Sequence, residues 1–171
     1  HKGRIEYLLH VNGNTFHSAF PDKQKNTIHL AAKAVSALKN IKFTNDHEMG
    51  KGVLTPTGLV TNSNTSMAPS KTSIRFDRRT VPGDDESLTN KEIMNIVKDI
   101  DSSAFSLSIE ERETITYTGE KIICRKIFPA WEIDKNHQLV KLLTQAVKNN
   151  GISSDYGYWG FCTNGVESMG K

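Results

Sequence analysis

The sequence predicts an α+β fold, and the order of its periodic segments predicts it. Runs with a two-residue hydrophobic period recur at 5–11, 53–61, 72–79 and 114–126. Two runs of helical period, 26–38 and 88–100, fall between them. The resulting order, β-α-β-β-α-β, is the ferredoxin-like arrangement of two helices on one face of an antiparallel sheet. That unit covers residues 3–126, and residues 127–171 read as a second, partial α/β segment.

Ile5, Tyr7, Leu9 and Val11 alternate with polar neighbours up to a turn at Asn12-Gly13-Asn14. A loop, Phe16–Pro21, leads to a helix capped by Asn26, with Ile28, Ala31, Ala32, Val35 and Leu38 as its apolar stripe. Val53–Thr61 reads as a strand with an irregularity at Pro56-Thr57-Gly58. Ser63–Pro69 is a loop of small polar residues. Thr72–Arg79 is a strand with Ile74, Phe76 and Arg78 on one face and Ser73, Arg75, Asp77 and Arg79 on the other. Arg78 is expected to lay its stem over apolar surface.

Val81–Asp85 is a turn into the second helix, for which Thr89 and Glu92 form a capping box. Ser102–Ser108 reads as a linker. Thr114–Lys126 reads as a strand pair, or one strand broken at Gly119, with Ile115, Tyr117, Ile122 and Cys124 pointing inward. Beyond Phe128-Pro129-Ala130-Trp131, Asp134 is the expected cap of a third helix ending at Asn149-Asn150-Gly151. Tyr156–Phe161 reads as a buried strand, and Cys162–Gly165 as a turn into a further helix. These last elements cannot close a core of their own, so they are expected to belong to a larger domain. The missing initiator Met likewise marks the chain as an expected fragment.

The 171 residues carry a net charge of +3 and a pI near 8.8, with no basic run longer than Arg78-Arg79. That charge is too mild and scattered for a nucleic-acid partner. No run approaches a membrane span. Cys124 and Cys162 form no CxxC pair, which excludes a zinc knuckle and favours a reducing cytoplasm over secretion.

Several short motifs agree in order and spacing: Gly3-Arg4, Asn12-Gly13, Phe16-His17-Ser18 with Pro21, Asn26-Thr27-Ile28 with Ala31-Ala32, Ala68-Pro69, and Asp77-Arg78-Arg79 followed by Pro82-Gly83-Asp84-Asp85. Together they resemble the M20 family of metallohydrolases, in its lid, or dimerisation, domain and the start of the returning catalytic domain. Phe128-Pro129-Ala130-Trp131 and Trp159-x-Phe161-x-Thr163-Asn164-Gly165 resemble most a subgroup linked to selenium metabolism, often labelled deacetylase or peptidase.

The resemblance implies an amide-cleaving homodimer with two divalent metal ions, usually zinc, that activate a water, and a glutamate as general base. The family's ligands, an H-x-D, a bridging Asp and a Glu-Glu pair among them, flank the lid in sequence and are not in this chain. His1, His10, His17, His29, His47 and His137 show neither H-x-D nor HExxH spacing, so neither metal binding nor turnover is expected of this chain alone.

By the same resemblance, His17 is the lid histidine that reaches the partner's active site and donates a hydrogen bond to the developing oxyanion. Read without the family, it is a solvated loop histidine. Arg79 matches an Asp-x-Arg pattern and is either a bidentate clamp for a substrate carboxylate or the partner of Asp77 or Asp84. Ser66 stands where several relatives carry a substrate-touching asparagine, and a hydroxyl cannot repeat an amide's two-sided contact. Thr163, Asn164 and Gly165 match a loop lining the substrate pocket, and also suit an ordinary capped turn. The competing class is a non-catalytic ferredoxin-like module for ligand binding or dimerisation. It explains the element order equally well but not the Phe16–Pro21, Asp77–Arg79 and Trp159–Gly165 motifs together.

Overall fold

The structure, a computed structural model, describes residues 1–21, 24–63 and 65–169. In chain order its elements are β1 (Gly3–Asn12), β2 (Phe16–His17), α1 (Thr27–Leu38), β3 (Val53–Thr61), β4 (Met67–Ala68), β5 (Lys71–Thr80), α2 (Glu86–Lys98), β6 (Phe105–Ile109), β7 (Glu111–Ile115), β8 (Lys121–Arg125), β9 (Ile127–Phe128) and α3 (Gln138–Asn149), followed by a 3₁₀ turn at Asn164–Glu167. The fold is α+β. The main sheet is antiparallel in the order β3-β5-β1-β6, and β9 joins β1 beside β6.

Alternation in β1 and β5 buries Ile5, Tyr7, Leu9, Val11, Ile74 and Phe76 beneath α1 and α2, which contribute Leu30, Ala31, Ala34, Leu38, Ile93 and Val97. The Tyr7 hydroxyl donates to Thr89 Oγ1 at 2.7 Å, and burial pushes the phenol up to about 12. Val53–Thr61 forms as read, with its register shift between Pro56 and Gly58.

Several expectations are corrected. The stripe of α1 is turned by about one residue: Ile28 and Ala32 face out, and Thr27, Leu30, Ala31, Ala34 and Leu38 face in. Thr27 hid this stripe, because its buried hydroxyl is satisfied by Pro69 O at 3.0 Å and Thr72 Oγ1 at 2.9 Å. Helix α2 is capped by Asp85, whose carboxylate accepts from Leu88 N at 2.7 Å. Thr89 and Glu92 are therefore not a capping box: Thr89 meets Tyr7, and Glu92 meets Arg78.

Arg78 does not coat apolar surface. Its guanidinium is fully buried, 3.0 Å from Asp84 Oδ2 and 3.3 Å from Glu92 Oε2, with the Phe43 ring centroid 3.9 Å from Cζ.

The fourth strand of the sheet is Phe105–Ile109, within the segment read as a linker. Its alternate serines, Ser106 and Ser108, face the polar partners of β1 and mask the strand period. The strand pair read across Gly119 does form, as the hairpin β7-β8 turned at Gly119 with φ of 86°, but outside the main sheet. Among the described residues it pairs with no other strand, so Ile115, Tyr117, Ile122 and Cys124 are exposed rather than inward.

Helix α3 begins three residues later than Asp134 predicts. His137 caps it, while Asp134 accepts from Asn136 N and His137 N in the preceding turn. Tyr156–Phe161 makes no strand among the described residues, because no neighbouring strand offers it a ladder. Trp159 is 64% exposed there. The turn after Cys162 forms, with Thr163 as its cap.

Candidate functional site

The residues singled out by sequence fall into two clusters at opposite ends of the sheet. The first is built where β1 runs out. Buried Phe16 anchors β2, and the two-residue ladder pairs Phe16 with Ala68 and His17 with Met67. Ser18 N donates to Ser66 O at 2.9 Å, and Phe20 N to His17 O at 2.9 Å, closing a turn around the histidine. The Ala19 amide donates to His17 Nδ1 at 3.1 Å, and the Phe20 ring stands edge-on to the imidazole at 6.2 Å. The structure thus places Ser66 against the residue that follows His17. The contact, however, uses the Ser66 carbonyl, presented by a left-handed backbone with φ of 66°.

The second cluster lies on the polar face of the sheet, opposite the helices. Asp77 holds Arg79 in bidentate fashion, Nε to Oδ1 at 2.7 Å and Nη2 to Oδ2 at 3.1 Å. The same carboxylate accepts from Arg4 Nε at 2.8 Å, and Arg4 also pairs with Glu6 at 2.7 Å. The Arg4 guanidinium is held above its ordinary value: burial pulls it down, but the Asp77 bond, the Glu6 and Asp77 charges and nearby Cys162 outweigh that. Arg79 thus has the Asp77 partner that the sequence offered as one of its alternatives.

The role of Arg4 was missed by sequence reasoning. The signal lay in the antiparallel register, which sets Arg4 beside Arg79 and Glu6 beside Asp77.

Thr163, Asn164 and Gly165 lie by Trp131, whose N donates to His1 O at 3.2 Å just before β1. Thr163 Oγ1 accepts from Gly165 N at 3.3 Å, and a Cβ on Gly165 would come within 2.9 Å of the Trp131 ring. A cavity of 210 Å³ opens beside Thr163, lined by Trp131, Ile133, Tyr156, Tyr158 and Trp159 among others. Both cysteines are free. Among the described residues no group of three or more His, Cys, Asp or Glu is placed to hold a metal ion.

Residues 1–104 match the peptidase dimerisation domain of the M20 type. The chain belongs to that family. The match takes in the His17 loop, Ser66 and the Asp77–Arg79 strand. No curated protein matches the sequence.

Among solved structures, the chain is similar to aminopeptidase PepT from Bacillus cereus, with 13% identity, a TM-score of 0.68, and coverage of 99% of this chain and 42% of that one. It is also similar to a tripeptidase from Staphylococcus aureus, with 16% identity, a TM-score of 0.64, and coverage of 98% and 40%. A third is the dipeptidase Dug1p from Saccharomyces cerevisiae, with 14% identity, a TM-score of 0.60, and coverage of 98% and 45%. At such identities the likeness carries the fold. The chain spans about two fifths of the length of these structures. No helix of this dimerisation-domain chain, among the described residues, is long and apolar enough to cross a membrane.

Proposed function

We propose that this chain is the lid (3–126) and the first part of the returning catalytic half (127–171) of an M20-type metal-dependent amidohydrolase. The substrate is a small peptide or N-acyl amino acid, and the working form is a cytoplasmic homodimer. The subgroup it fits best is the one linked to selenium metabolism. In this reading the two divalent ions, zinc in the usual case, are held by other parts of the enzyme, and this chain alone turns over no substrate.

The observation that carries this reading is the separation of the two clusters. From Lys71 to Arg79 the strand climbs about 26 Å, too far for one small substrate to span. A twofold dimer removes the difficulty. β3 is the open edge of the sheet, with Leu59 49% and Val60 69% exposed. Pairing β3 with its own copy about a twofold axis runs the two strands antiparallel. The His17 end of one protomer then lies toward the Arg79 end of its partner.

In that arrangement His17 donates to the oxyanion of the partner's substrate, and Arg79 takes a substrate carboxylate. The Thr163-Asn164-Gly165 loop lets main-chain amides approach the ligand. Ser66 lacks the reach of an asparagine and contributes through its backbone.

The test is kinetic. His17→Ala in the full-length protein lowers kcat by about 10²–10³ if the imidazole stabilises an oxyanion. An unchanged kcat would refute the role.

A further inference from the structure

Among the described residues, the loop around His17 engages one of its two ring nitrogens. The Ala19 amide donates to Nδ1 at 3.1 Å. A donor aimed at Nδ1 needs the lone pair there, so the proton of the neutral ring resides on Nε2. Among the described residues Nε2 meets no partner, and the side chain is exposed. Main-chain groups hold this orientation: Phe20 N on His17 O, Ser18 N on Ser66 O, and Ala19 N on the ring itself, with the Phe20 ring edge-on beside it.

We infer that the Ala19 main-chain amide locks His17 as the Nε2–H tautomer, making it a dedicated hydrogen-bond donor at Nε2 and barring it from acting as a base there. Ala19 is thereby a positioning residue, acting through its backbone. The ligand atom that His17 takes is an oxygen acceptor carrying or gaining negative charge. The identity of that oxygen as the oxyanion of amide cleavage rests on the function proposed above; the tautomer does not.

This division shapes the test. The tautomer is read directly from long-range ¹H–¹⁵N correlations of the imidazole in the ¹⁵N-labelled chain, at about pH 8, above the ordinary imidazole range. The expected pattern for His17 is a protonated Nε2 and a bare Nδ1; a protonated Nδ1 overturns the inference.

Activity of the full-length protein supplies the second readout. The side-chain nitrogen of Gln reaches the place of Nε2, whereas that of Asn reaches only the place of Nδ1. His17→Gln is therefore expected to keep kcat within about tenfold, while His17→Asn falls by about 10²–10³ like the alanine variant. A loss as large in the Gln variant as in the Asn variant overturns the donor role. An Nε2–H signature together with an unchanged kcat in His17→Ala would sustain the tautomer assignment and sink the catalytic reading.

Discussion

Ser66 holds a φ of 66°, a region in which a residue with a Cβ is strained by about 1–2 kcal/mol. Ser66→Gly should therefore raise stability by roughly 1 kcal/mol in urea unfolding, and a loss of stability would contradict the strain. The family resemblance pointed to this residue; that its carbonyl rather than its hydroxyl meets the His17 loop was not readable from residue type.

Arg78 was harder to read, because its acidic partners come from a turn and a helix that only the fold brings under the sheet. Removing it strands Asp84 and Glu92 in the interior, so Arg78→Met should cost about 3–5 kcal/mol. A cost under about 1 kcal/mol would mean the pair is solvated.

His10 bonds Ser73 and Ser108, each at 3.0 Å, and burial, with Lys71 adding, lowers it from its ordinary 6.5. The folded state thus favours the neutral ring. The stability this confers is present above about pH 6.5 and is lost as the pH falls below it, because the unfolded chain then binds the proton more readily. The urea midpoint should fall more between about pH 7.5 and 5.5 in the parent chain than in His10→Gln. Equal falls would remove His10 from the pH response.

At the scale of elements, the strands and helices with a buried face and a clear period were legible: β1, β3, β5, α1 and α2. β6 was not, because Ser106 and Ser108 satisfy polar partners across the sheet and break the apolar signal. The β7-β8 hairpin misled in the opposite sense. Ile115, Ile122 and Ile123 look like core residues, yet the hairpin leaves the sheet edge and exposes both faces. The family resemblance pointed to His17, Ser66 and Arg79 as candidates, whereas the second cation on Asp77, Arg4, emerged only from the register.

The short strand β9 depends on a glycine. A Cβ on Gly3 would collide with Phe128 O, Ala130 N and Thr80 Oγ1. Gly3→Ala should therefore speed amide exchange at residues 127–130 while β5 stays protected, and unchanged exchange would contradict that packing.

Apolar surface is left uncovered in several places. Helix α3 and residues 152–161 expose Leu142, Leu143, Ile152 and Trp159, and the β7-β8 hairpin exposes Ile115 and Ile123. The β3 edge, with Leu59 and Val60 exposed, is another, and it is where the proposed dimer would pair. Val60→Lys should lower the dimer fraction measured by light scattering, since a charge there blunts an edge that would pair with its copy; an unchanged mass distribution would move the interface elsewhere.

The central claim is that His17 completes the active site of the partner. It is tested by mixing two inactive full-length variants, one carrying His17→Ala and the other disabled in the catalytic domain outside residues 1–171. Action in trans predicts about a quarter of wild-type activity in an equilibrated equimolar mixture, from one completed site in half of the dimers. Activity no higher than that of the two separate variants would contradict it.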